Sequence, residues 1–128
     1  MIHHVAFWVS NLENMKRFYT KYFNAKANDI YRNPKTGFNS YFLTFGDGTK
    51  LELMQIPTVS ETKNNMEKQF LGLAHIAISV GSKEVVDSLT SQLVKDGFEV
   101  AGVPRTTGDG YYESSIFDPE LNRIEITI

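Results

Sequence analysis

Four side chains in this sequence carry the chemistry of a metal centre: the imidazoles of His4 and His75 and the carboxylates of Glu52 and Glu125. Imidazole favours zinc, nickel, cobalt or iron, and two carboxylates bring a divalent ion close to neutrality. The chain contains no cysteine, so thiolate metal sites and cysteine nucleophiles are excluded. Taken singly, each of the four is ordinary. A Glu between aliphatic residues in an antiparallel strand usually faces solvent, and a lone strand histidine is usually structural. Their spacing sets them apart. His75 follows His4 by 71 residues (75 minus 4), and Glu125 follows Glu52 by 73 (125 minus 52). Two of the three histidines and both carboxylates therefore fall at matching points of an internal repeat, which is a signal at the level of the fold.

The elements that must position these residues also repeat. Residues 4–9 (HVAFWV) superpose on residues 75–80 (HIAISV). In the first stretch, read as a strand over 2–9, Val5, Phe7 and Val9 alternate on a face suited to burial under helices, and His4, Ala6 and Trp8 on the other. Ser10 with Glu13 reads as a capping box, followed by Leu12, Met15, Phe18, Tyr19, Tyr22 and Phe23 at helical spacing up to a stop at Asn24. Strand-like stretches follow at about 26–32, 38–46 and 49–56, the last two joined as a hairpin through Gly46-Asp47-Gly48. The second copy has a strand over 73–80, Ser82 as N-cap, and a helix carrying Val85, Val86, Leu89, Leu93 and Val94. That helix closes at Gly97. Strands near 98–103, 111–117 and 122–128 complete it. In each closing strand the Glu sits between aliphatics (LEL at 51–53, IEI at 124–126), so alternation puts it on the histidine face, away from the helix. Each copy reads as βαβββ, giving an α+β domain of a first module (1–56), a linker (57–71) and a second module (72–128).

Several readings follow for the remaining residues. His3 adjoins His4 and should point to the opposite face, which makes it structural or partly exposed and no ligand of the same ion. Trp8 lies on the ligand face, while Phe45, Arg32, Arg105, Tyr111 and Tyr112 are candidate pocket wall. Arg105 through Gly110 reads as a flexible loop able to close over an anionic substrate. A net charge of -2 and the absence of a basic run argue against nucleic acid and anionic lipid as partners. No apolar stretch approaches transmembrane length, and the expected address is cytoplasmic.

These residues resemble the vicinal oxygen chelate superfamily, the glyoxalase, bleomycin-resistance and dioxygenase proteins, and within it the glyoxalase I-like members. The resemblance runs through HHVA (3–6), NLENMKRFY (11–19), LEL (51–53), LAHIAI (73–78) and DPELNRIEI (118–126). It implies paired βαβββ modules forming a cupped mixed sheet around one divalent metal ion, with zinc, nickel or cobalt ahead of manganese or iron. The ligand positions match His4, Glu52, His75 and Glu125. The full His, Glu, His, Glu set is most similar to bacterial glyoxalase I, whereas dioxygenases and thiol transferases of the superfamily carry one Glu. The implied activity is a lyase or isomerase reaction on an α-oxo, hemithioacetal-type small molecule, with Glu125 or Glu52 as the base and a homodimer as the assembly. The alternatives implied by the same resemblance are another metal-dependent enzyme of the superfamily, a dioxygenase or thiol transferase, or a binding protein without turnover. Leu121 stands where the family commonly has Gly.

Overall fold

The computed structural model describes all 128 residues. No helix is long and apolar enough to cross a membrane. The chain divides into two compact units, residues 1–62 and 63–128, each a sheet with one helix on a single face.

In the first unit β1 (His4–Trp8), α1 (Leu12–Phe23), β2 (Lys26–Ala27), β3 (Tyr31–Asn33), β4 (Phe38–Thr44) and β5 (Lys50–Gln55) follow in order. The sheet order is β1-β5-β4-β2, with β3 also on β4. β1 runs parallel to β5, and the other pairings are antiparallel. Burial follows the expected alternation: Leu51 and Leu53 of β5 and Tyr41 and Leu43 of β4 are buried beneath Leu12, Met15, Phe18, Tyr19 and Phe23 of α1. Truncating one of these, such as Leu53, would cost about 2–5 kcal/mol.

Two local expectations need correction here. The helix cap is Asn11, whose side chain accepts from the Asn14 N–H at 2.9 Å. The ladder continues through Val9, whose N–H reaches Met54 O at 2.8 Å, and the chain bends at Ser10, so the cap falls one residue later. Glu13 accordingly does not close a capping box but accepts from the Tyr41 hydroxyl and pairs with Lys16 at 3.0 Å. The Tyr41 bond, then Lys16, hold its carboxyl below the usual glutamate value. The strand expected over 26–32 is split into β2 and β3, because the Asn28 side-chain oxygen takes the Phe42 N–H at 2.8 Å in place of a backbone carbonyl. Asn24 ends α1 in the left-handed region at φ 54°, as its place at the helix stop implies.

The second unit contains β6 (His75–Ser79), α2 (Lys83–Lys95), β7 (Val100–Thr106), β8 (Tyr112–Phe117) and β9 (Arg123–Thr127), in sheet order β6-β9-β8-β7. Again the first strand is parallel to the last. Ser82 caps α2 through the Val85 N–H at 3.3 Å, and Gly97 follows the helix at φ 92°, a conformation that favours glycine. α2 buries Val86, Thr90 and Leu93, while Val85 and Val94 stay exposed. Thr90 escaped the hydrophobic pattern because its partner is polar: its hydroxyl meets Ser114 Oγ at 2.7 Å and donates to Val86 O at 2.6 Å.

β7 runs three residues beyond the stretch expected to end at 103, passing through Pro104. Proline is tolerated there because β7 is an edge strand, and its ladder to β8 is already irregular between Val100 and Arg105. Residues 57–71 carry no helix or strand. Part of this segment is tied down: Asn64 Nδ2 donates to Asn122 Oδ1 at 2.8 Å, and Arg123 donates to Met66 O at 3.1 Å. The chain is thus α+β, two tandem βαβββ modules, the second strand of the first module being split.

Candidate metal centre

Parallel pairing positions the candidate ligands identically in both units. Ala6 pairs with Glu52 and His4 with Lys50, so the histidine lies one residue pair diagonally from the glutamate on a shared face. The second unit repeats this register, with Ala77 opposite Glu125 and His75 opposite Arg123. Adjacent strands lie about 4.8 Å apart, a span the two side chains close. His4 Nε2 lies 3.4 Å from Glu52 Oε2, and His75 Nε2 lies 3.1 Å from Glu125 Oε2. All four are partly open to solvent, the carboxylates less than the imidazoles: 13% and 22% against 35% and 42%.

The structure therefore brings His4 to Glu52 and His75 to Glu125. It contains no group of three or more His, Asp or Glu side chains able to hold a metal ion. Each pair nonetheless fits two donors of one ion. Zinc-type bonds of about 2.0–2.2 Å at angles near 90–110° separate neighbouring donor atoms by roughly 2.8–3.6 Å. Both measured spacings fall within that range.

The surroundings differ between the pairs. Phe42 pairs with Glu52 across β4 and β5, and its ring meets His4 edge-on, centroids 5.4 Å apart. Trp8 lies on this face as expected, edge-to-face with Phe38 at 6.2 Å, and Phe38 meets the Tyr31 ring at a tilt, centroids 6.0 Å apart. Sequence reasoning missed Phe42, Phe38 and Tyr31; the parity of β4 relative to Glu52 was the signal available. In the second unit Ser115 holds the place of Phe42 and Gly102 pairs with Ser115. Arg105 folds back over Gly102, where a Cβ would stand 3.1 Å from its Nη1. Arg105 also faces Glu113 at 3.7 Å, and both share the Glu125 face by register.

Other candidate pocket residues lie elsewhere. Arg32 pairs with Asn39 and Asn39 with Gln55, which puts all three on the α1 side of the sheet, opposite Glu52. There, with Ser10, Asn11 and Glu13, they line a cleft of about 320 Å³. It is a cleft at the helix N-terminus, separated from His4 by the sheet. Tyr112 also sits on the helix side, its hydroxyl donating to Asp87 at 2.7 Å, which pushes its pKa up. Phe45 lies beyond β4, in the hairpin turn. Tyr111 is exposed outside the strand.

The flexible loop expected from Arg105 to Gly110 is not found. Arg105 and Thr106 belong to β7, and the remainder closes as a tight turn. Thr107 N–H meets Tyr111 O at 2.8 Å and Gly110 N–H meets Thr107 O at 3.0 Å. His3 precedes β1, so strand alternation does not bind it. Its Nδ1 lies 2.9 Å from His4 Nδ1, and the expectation that it points away from His4 is overturned.

The fold, with one His–Glu pair in each unit, points to a class before it points to an activity. The chain matches the model of the glyoxalase, bleomycin resistance protein and dioxygenase superfamily over residues 1–126 and belongs to that superfamily. It is 25% identical, over 98% of its length and 96% of the relative's, to the uncharacterized protein YqjT of Bacillus subtilis. Its fold is similar to a glyoxylase, bleomycin resistance and dioxygenase domain from Frankia, with a TM-score of 0.82 at 20% identity, covering 100% of this chain and 96% of that one. It is similar also to the trypanothione-dependent glyoxalase I of Leishmania major, with a TM-score of 0.76 at 23% identity, over 99% and 85% of the two chains.

Proposed function

We propose that this chain is a metal-dependent, glyoxalase I-like lyase that moves a proton between adjacent carbons of an α-oxo, hemithioacetal-type small molecule. The observation that carries the proposal is the duplicated His–Glu pair, in the same register twice and with a donor spacing within each pair that suits metal ligation. His4, Glu52, His75 and Glu125 are the residues assigned to hold it, zinc, nickel or cobalt being preferred. Bound there, a divalent ion supplies Lewis-acid stabilisation to negative charge developing on neighbouring substrate oxygens.

The protein supplies the base. A carboxylate takes the proton from the carbon that bears sulfur and hydroxyl and returns it to the adjacent carbonyl carbon, while the hydroxyl proton passes to the former carbonyl oxygen, so the substrate is isomerised without net gain or loss of protons. We assign this role to Glu125. It lies beside Ser115, with Gly102 one strand beyond, and is the more open carboxylate, whereas Glu52 is the less open and lies beside Phe42. Arg105, held by Glu113 on the Glu125 face, supplies a cation for an anionic end of the substrate. The working form in this proposal is a cytoplasmic homodimer.

Methylglyoxal with a panel of low-molecular-weight thiols, assayed with zinc, nickel and cobalt, tests the reading. Turnover should require added metal. Glu125→Gln should lower kcat by about 10²–10⁴-fold while retaining metal, and Glu52→Gln should weaken metal uptake. Absence of product with every thiol and metal would sink the proposal. One observation favours a second reading, a small-molecule binder without turnover: Trp8, Tyr31, Phe38 and Phe42 share the His4 face by strand register. Tight binding of a planar apolar compound by the metal-free chain would support it.

A further inference from the structure

The two His–Glu pairs share a register but differ in what holds the histidine. The residue before His75 is Ala74, whereas the residue before His4 is His3. The His3 and His4 rings meet edge to face at 5.2 Å and 82°, with their Nδ1 atoms 2.9 Å apart. His4 Nε2 faces Glu52 and its ring edge meets Phe42. The His4 ring is therefore constrained at both nitrogens and on its carbon frame, and His75 has no counterpart of the first constraint.

We infer that His3 is a positioning residue that sets the tautomer and ring orientation of His4 for metal ligation. The inference rests on the metal-binding reading above. An Nδ1···Nδ1 contact at this distance needs a proton on one ring and a lone pair on the other. When His4 Nε2 gives its lone pair to an ion, its proton must sit on Nδ1, and His3 Nδ1 is placed to accept it. When His4 keeps its proton on Nε2 facing the Glu52 carboxylate, His4 Nδ1 becomes the acceptor and His3 donates. An imidazole serves both states because its nitrogens exchange donor and acceptor roles; a carbonyl or carboxylate at that place would serve only the first. Partners of this kind fix the orientation and basicity of a ligating histidine, and losing one typically costs 10–100-fold in metal affinity.

The test uses the full chain, metal-free at the start, titrated with Zn²⁺ alone against a competing chelator, for wild type, His3→Ala and His3→Gln. Long-range ¹H–¹⁵N correlation spectra of the zinc-loaded proteins read the protonation of each histidine nitrogen. His3 is exposed, so the variants should keep the wild-type melting temperature. The expected result is a 10–100-fold weaker Kd for His3→Ala and substantial recovery in His3→Gln, whose amide oxygen can accept. His4 should carry its proton on Nδ1 in the loaded wild type, and this proton should lose protection in His3→Ala while the His75 signals stay put. An unchanged Kd in His3→Ala, or a loaded His4 protonated on Nε2, overturns the role of His3 alone. A wild-type chain that takes up no zinc overturns it together with the metal reading.

Discussion

A histidine and a glutamate 3.1–3.4 Å apart on neighbouring strands can be an ion pair or two neighbouring donors of a bound cation. Duplication favours the second, because nothing about packing requires the same pair at the same register twice. Around these pairs the residues diverge, and the divergence suggests roles: the aromatic wall of Phe42 beside Glu52, and Ser115 beside Glu125 with Gly102 and the Arg105 guanidinium further along the same face. The bond between Arg105 and Glu113 is long and half exposed, so it should contribute little to stability. Arg105→Ala is expected to leave the melting temperature nearly unchanged, to raise KM for an anionic substrate about tenfold or more, and to spare kcat. A fall in kcat with KM unaltered would show that Arg105 acts in the transition state instead. His3 belongs at this scale too. Its neighbour relation to His4 is invisible to strand alternation because β1 begins one residue later.

At the level of elements, the two helices solve one problem with different chemistry. α1 packs an aromatic and aliphatic stripe on β4 and β5, whereas α2 is fastened to β8 partly by the buried Thr90–Ser114 hydroxyl pair. A buried polar group deprived of its partner costs about 1–3 kcal/mol, while removing both partners can be nearly neutral. Thr90→Val should thus destabilise the chain by about that amount in denaturant titration. Ser114→Ala added to it should recover part of the loss, and simple additivity of the two variants would refute the coupling. Leu121 shows the converse, a local rule broken in the closing turn: it sits at φ 64°, while Asp118 holds that turn through the N–H groups of Glu120 and Asn122. The hydrogen bonds of the Asp118 carboxylate, rather than a glycine, maintain the conformation there.

For the whole molecule the proposal makes a stoichiometric demand. If His4, Glu52, His75 and Glu125 serve a single ion, zinc or nickel should bind at one per chain with both pairs needed, whereas independent pairs would bind two. Metal analysis after dialysis distinguishes these, and two ions per chain would refute the shared centre. A bound ion should also stabilise the native state by about 2.7 kcal/mol at a free concentration a hundred times Kd, seen as a rise in melting temperature that Glu52→Gln diminishes. Sedimentation analysis should find a homodimer. The sequence by itself determined the architecture and the composition of the candidate centre. Alternation in 4–9 and 75–80, the two amphipathic helices and the LEL and IEI motifs are local patterns of period 2 and 3.6, and repetition made them unambiguous. Tertiary structure alone decided what depends on pairing between distant strands. The register of β1 on β5 and of β6 on β9 brings each His to its Glu. The pairing of β3 with β4 carries Arg32 to the helix side, and the pairing of β4 with β5 carries Phe42 to the ligand side. Register is set by hydrogen bonds between segments tens of residues apart, so no local pattern encodes it. For the same reason the Asn28 side chain could break a strand, and His3 could turn onto His4, without any warning in their immediate neighbours.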